Sequence, residues 1–187
     1  AAEGVGRLVH ISAIGADADS KSVYARTKAM GEAAVQEAFA DAVILRPSIV
    51  FGPEDQFFNR FAQMTRLSPF IPVVGAATRF QPVYVDDVAK AAVQGVLGEA
   101  KPGIYELGGP EVATFRGLMQ DMLAIIRRRR LLLTVPFWIA TIMGTAFDLL
   151  QKVTFGLFHN GLLTRDQVRN LRRDNVVSDD QMSFADL

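Results

Sequence analysis

Two short apolar runs, RLVHIS (7–12) and AVILRPSIVFG (42–52), flank a helical stretch, and no other feature constrains the fold as much. Both runs are rich in β-branched residues and lack the alternation of a half-wet strand, so each reads as a strand buried on both faces. Between them lies a small polar loop, AIGADADS, and then a run in which Ser20 or Ser22 caps a helix to about Phe39. Strand, helix, strand at this spacing is a βαβ crossover, and such a crossover builds a parallel sheet.

The rest of the chain extends that pattern. A helix carrying Phe57, Phe61 and Met64 follows, then a Pro- and Gly-rich loop from Ser68 to Thr78. FQPVYVDDVAKAAVQGVL predicts a short extended piece and then a helix to Leu97 with Asp86 or Asp87 as N-cap. GIYELGG (103–109) is a further short strand, Thr114 caps the next helix, and the pattern past Pro136 turns helical up to about Phe158. Thr164 and Gln167 have capping-box spacing and open a last helix. The expected fold is α/β: residues 1–126 form the later part of a doubly wound, Rossmann-like parallel sheet, and residues 127–187 form a mainly helical segment.

Charge is distributed unevenly along this framework. The total is zero, but residues 127–173 carry nine Lys/Arg against two Asp/Glu, including the run Arg127 to Arg130. That neutral total argues against a nucleic-acid binder, which would show a basic excess. With no cysteine there is neither a disulfide nor a Cys-ligated metal, and His10 and His159 lack any ligand spacing, so no metal site is expected. The uncharged stretch 131–147 is interrupted by Pro136 and Gly144 and ended by Asp148. A spanning helix needs about 20 apolar residues, so this stretch reads as buried, or as lying on a membrane or a partner.

The chemistry sits on the first crossover. Tyr24 and Lys28 are four apart on its helix, and Ser12 ends the strand before it. Doubly wound sheets place ligands at the carboxyl ends of their strands, which is where all three converge. Pro47 and Ser48 end the next strand beside the same edge; Pro47 removes a donor and Ser48 offers a hydroxyl. An ammonium near a phenol favours the phenolate, which would let Tyr24 exchange a proton with a substrate hydroxyl or carbonyl. Ser12 would hold the substrate oxygen, and Lys28 could bond a cofactor ribose. An exposed helix pair is the plainer reading of Tyr24 and Lys28 taken alone; the convergence of three segments favours a site. Asp86 and Asp87 read as caps, and the arginine run as a solvated helix end.

Ser12, YARTK, LRPSIVFGPED, VYVDDVAKA and YELGGPE resemble the short-chain dehydrogenase/reductase superfamily in its extended and atypical branches. YARTKAMGEAAV, RPSIVFGPEDQFFNRFA, QPVYVDDVAKA and LTRDQVRNL are similar, more closely, to the nucleotide-binding accessory subunits of respiratory complex I. The resemblance implies a nicotinamide nucleotide, NADPH in those subunits and NAD(H) as the alternative, held tightly and not turned over. It implies Tyr24 and Lys28 near the ribose, Pro47, Ser48 and Ile49 near the nicotinamide, and Ser12 completing a triad-like set. Other complex I subunits would be the partners, with anionic lipid a further contact through 127–173. The location implied is peripheral, on the cytoplasmic face of a bacterial inner membrane or the matrix face of the mitochondrial one. The competing readings are an active reductase, dehydratase or epimerase, and a redox-sensing regulator. The superfamily's Gly-rich turn is absent from these 187 residues, and MSFADL reads as an interruption, so the chain resembles the C-terminal portion of a longer protein.

Overall fold

A computed structural model of the chain describes residues 4–153 and 164–187. Along the chain the elements begin with β1 (Val9–Ile11), α1 (Val23–Ala38), β2 (Val43–Pro47), β3 (Val50–Phe51) and α2 (Phe58–Leu67). Next come β4 (Phe70–Val74), β5 (Arg79–Phe80), β6 (Val83–Tyr84), α3 (Val85–Leu97), β7 (Gly103–Leu107) and β8 (Ala113–Thr114). The last are α4 (Phe115–Ile125), β9 (Leu131–Val135), α5 (Phe137–Val153) and α6 (Arg165–Asn170), with a 3₁₀ turn at Phe184–Asp186. The chain forms two compact units, each assembled from separate stretches: Ala1–Phe57 with Phe80–Val112 and Asn175–Leu187, and Phe58–Arg79 with Ala113–Asp174.

The first unit holds the crossover that the sequence dictates. β1, β2 and β7 form a three-stranded sheet in that order, and both pairings are parallel. β2 is central, and Val43, Ile44 and Leu45 are buried, as a strand covered on both faces requires. β1 departs from the expectation of full burial: Ile11 is exposed, because among the described residues β1 has a partner on one side only. The run 42–52 is also not one strand. It ends at Pro47, and after Ser48 and Ile49 it pairs anew as β3, parallel to β6. Val43, Leu45, Val83, Val88, Ala91, Tyr105 and Leu107 form the core between these strands and α3.

α1 starts where a side chain can satisfy its first free N–H groups: the Ser22 hydroxyl accepts from the Ala25 N–H. Such a cap is worth about 1 kcal/mol. α3 differs from expectation, because Tyr84 is its N-cap and makes no side-chain cap bond. Tyr84 is fixed in extended backbone by its pairing with Phe51, so the helix begins directly after it. Asp86 and Asp87 therefore fall inside the first turn, where they favour the positive end of the helix dipole without capping it.

In the second unit β4 pairs parallel with β9. Neither strand was legible: 68–78 reads as a loop because of its prolines, and 127–187 reads as mainly helical. β4 tolerates Pro72 because, among the described residues, β9 is its one neighbour, and an edge strand can lack one N–H. α5 packs against α6 and β4 through Ala140, Val168 and Val74, and Thr164 with Gln167 forms the expected capping box. The expected continuation of α5 to about Phe158, and His159, lie outside the described residues. Among the described residues no helix is long and apolar enough to cross a membrane, and no cluster of His, Asp or Glu could hold a metal ion.

Candidate functional site

The site is built on the carboxyl ends of β1 and β2 and the N-terminal half of α1. The Ser12 N–H donates to the Leu45 carbonyl (2.7 Å), and the Ile14 N–H donates to the Pro47 carbonyl (3.1 Å). Those two bonds carry the parallel pairing past the end of β1 and hold the loop after it against β2. Tyr24 and Lys28 share one face of α1, with the Lys28 Nζ 5.9 Å from the Tyr24 ring centroid. Lys28 also donates to the Ile11 carbonyl at 3.4 Å, so the helix face is tied to the end of β1. Tyr24 is half exposed.

The electrostatics differ from those expected. Burial pushes the Tyr24 phenol above its usual value instead of the ammonium pulling it down. The Lys28 ammonium lies by the ring and is engaged with a backbone carbonyl. Desolvation of the phenolate therefore prevails, and Tyr24 is a neutral phenol at physiological pH.

The two serines are both engaged by the protein. Ser48 is buried, and its hydroxyl donates to the Asn175 Oδ1 (2.7 Å) while accepting from the Gln81 N–H (3.3 Å). Asn175 also donates to the Ile14 carbonyl (3.4 Å), so a residue 127 positions after Ser48 fastens the loop that follows Ser12. Pro47 is buried beside it, and the Ile49 carbonyl accepts from the Val83 N–H at 2.9 Å. Ser12 is 4% exposed, and its hydroxyl donates to the Glu32 carboxylate at 2.5 Å.

Glu32 leads to a buried charge network that sequence reasoning missed. Arg46 grips Glu32 with both prongs, Nη2 to Oε2 at 2.6 Å and Nε to Oε1 at 2.8 Å. On its other side the Arg46 Nη1 lies 3.8 Å from Glu106 on β7, and the Ser178 N–H donates to the Glu106 Oε2. Burial works to raise the Glu32 carboxyl, but the hydrogen bonds from Arg46 and Ser12 outweigh it and hold the group below the usual carboxylate range. Glu32 in turn raises Arg46. A signal was present in the sequence: Arg46 and Glu106 are charges inside apolar strand runs, and a buried charge requires a partner. Glu32 also continues the line Tyr24, Lys28 at the same four-residue interval.

The donor set suits one end of a dinucleotide. A half-exposed phenol and an ammonium stand on one helix face at the strand edge, and Pro47 offers no N–H that a ligand would leave unsatisfied. The phosphate-binding Gly-rich turn is not among these residues.

Parallel strands joined by a crossover helix that carries Tyr-x-x-x-Lys define a Rossmann-like fold of the extended short-chain dehydrogenase/reductase class. The RmlD substrate binding domain family matches residues 15–134, and the chain belongs to that family. It is 37% identical to the mitochondrial NADH dehydrogenase (ubiquinone) 1 alpha subcomplex subunit 9 of Arabidopsis thaliana, over 98% of this chain and 47% of that protein. The corresponding Mus musculus subunit is 31% identical over 98% of this chain and 48% of its own length. The chain thus spans about half the length of these relatives. Among solved structures, the dTDP-4-dehydrorhamnose reductase of Bacillus anthracis in complex with NADP has a TM-score of 0.60 at 18% identity, covering 70% of this chain and 50% of that one.

Proposed function

We propose that this chain is the later part of a nicotinamide-nucleotide-binding accessory subunit of respiratory complex I, and that its nucleotide is a bound structural element and not a turning-over substrate. One observation carries the reading: 37% identity to a subunit named for that complex extends over 98% of the chain. NADPH is the preferred nucleotide; the structural relative from Bacillus anthracis is a complex with NADP.

On this reading Tyr24 and Lys28 face the nucleotide ribose, and Pro47 and Ile49 flank the nicotinamide. When bound, the nucleotide acts as a folding ligand, stabilising the native state by mass action. Tyr24, a neutral phenol, donates a hydrogen bond, and Lys28 supplies charge and further donors. The subunit sits peripherally on the matrix face of the mitochondrial inner membrane, or the equivalent cytoplasmic face in a bacterium. The basic, apolar segment 127–173 contacts neighbouring subunits and anionic lipid. Exposure of Trp138, Ile142 and Leu149 on α5 supports a covered face there.

The test is the nucleotide content and turnover of the full-length protein isolated from its native membranes. Stoichiometric NADP(H) with no oxidation of NADPH by carbonyl substrates supports the reading. An active reductase is the alternative, favoured by the family's likeness to sugar-nucleotide enzymes, and steady turnover abolished by Tyr24→Phe would establish it instead.

A further inference from the structure

We infer that Glu32 holds the Ser12 proton, which makes Ser12 a positioning residue of the strand edge and not a donor to a bound ligand. This rests on the reading of that edge as a nucleotide site. A serine hydroxyl has one proton to give, and an ionised carboxylate can only accept. In the Ser12–Glu32 bond Ser12 is therefore the donor, and its remaining capacity is to accept.

Three features keep that proton in place. Glu32 cannot turn away, because Arg46 holds both of its oxygens in a two-pronged grip. Both Ser12 and Glu32 are 4% exposed, so water does not compete for the bond. A carbonyl oxygen on a ligand is also the weaker acceptor, since a hydrogen bond to a charged group is roughly twice as strong as a neutral one. The ligand-facing groups are instead Lys28 and the half-exposed Tyr24, one and two turns respectively nearer the start of α1 than Glu32.

The network thus does two things. It locks α1 to the ends of β1 and β2, which sets where Tyr24 and Lys28 stand. It also leaves the edge without a serine proton to polarise a substrate carbonyl, which suits retention of a hydroxyl-bearing nucleotide over carbonyl reduction. The titratable and charged groups around Glu32 are Arg46 on β2, His10 on β1, Glu106 beyond Arg46, and Lys28 one turn earlier on α1.

The experiment uses the full-length protein with Ser12→Ala and Ser12→Thr, and reads two quantities: NADPH affinity by calorimetry, and unfolding stability from neutral to acid pH. Ser12→Ala should move the acid loss of stability to higher pH, because Glu32 loses a bond that favours its ionised form. Ser12→Thr, which keeps the hydroxyl, should restore the wild-type profile. NADPH affinity should fall by less than about fivefold in both variants, under the roughly tenfold that 1.4 kcal/mol of lost contact represents. An unmoved acid profile, or a loss in affinity of about fivefold or more in Ser12→Ala, overturns the inference. If the wild-type protein binds no NADP(H), the nucleotide reading fails, and the acid profile alone decides where the Ser12 proton goes.

Discussion

Arg46 and Glu32 meet through two parallel hydrogen bonds, 2.6 and 2.8 Å long, that join the central strand β2 to the crossover helix α1. A single link of this kind fixes how the helix sits on the sheet, and so fixes where Tyr24 and Lys28 lie relative to the strand ends. It also places a charge pair in the core, where breaking it has a larger effect than never having it.

Arg46→Met should therefore destabilise the protein by about 3–5 kcal/mol at neutral pH, since it leaves Glu32 buried and unpaired. The penalty should shrink in acid as Glu32 takes up a proton and loses its charge. Chemical denaturation of wild type and variant at several pH values checks both the size and the trend.

In the wild type, Glu32 titrates below its ordinary value of 4.5 in the folded state. A depressed carboxyl contributes stability that is present above the unfolded value and lost as pH falls through the folded one. Stability should accordingly be level in this contribution above about pH 4.5 and decline below it. Asp174, held down by its hydrogen bonds from Arg79, declines in the same direction, but it lies on the surface and its share is small. Denaturation curves from neutral to acid pH read the slope.

At Gly95 α3 lies close against the sheet: a Cβ there would meet the Val9 Cγ2 at 2.7 Å. Gly95→Ala gains up to about 1 kcal/mol of helix propensity but forces an overpacking cost of about 1–3 kcal/mol. The net effect should be destabilising, and a lowered thermal midpoint would show it.

Arg127 and Arg129 are exposed, whereas Arg128 and Arg130 donate to Thr65 of α2 through the Oγ1 and the backbone carbonyl. The paired substitution Arg127→Glu, Arg129→Glu should leave stability nearly unchanged. It should weaken sedimentation with anionic vesicles by tenfold or more, at roughly 1 kcal/mol per basic residue near an anionic surface. Arg128→Ala should instead lower stability, because the fully buried Thr65 oxygen, whose hydroxyl donates to the Ala62 carbonyl, loses the guanidinium that donates to it.

The crossover was legible because its signals are local and agree with one another: β-branched runs for the strands, a serine cap for the helix, and spacing for the parallel pairing. Tyr24 and Lys28 were legible for the same reason, as helix neighbours. What escaped was set by distant partners. β4 and β9 are short strands whose identity comes from pairing across some sixty residues, and Pro72 hid one of them. Ser48 looked free until Asn175 reached it from the far end of the chain. Tyr24 looked acidified by Lys28, but whether charge or burial prevails depends on a desolvation that no spacing reveals.

A complex I accessory subunit that retains its nucleotide should be captured together with its complex when the tagged full-length protein is drawn from gently solubilised native membranes. The tagged protein should co-purify with NADH:ubiquinone oxidoreductase activity and with stoichiometric NADP(H), and Tyr24→Phe should leave that co-purification intact. Recovery of a free protein without the complex, turning over NADPH at a rate that Tyr24→Phe lowers by about 10²–10⁴-fold, would contradict it.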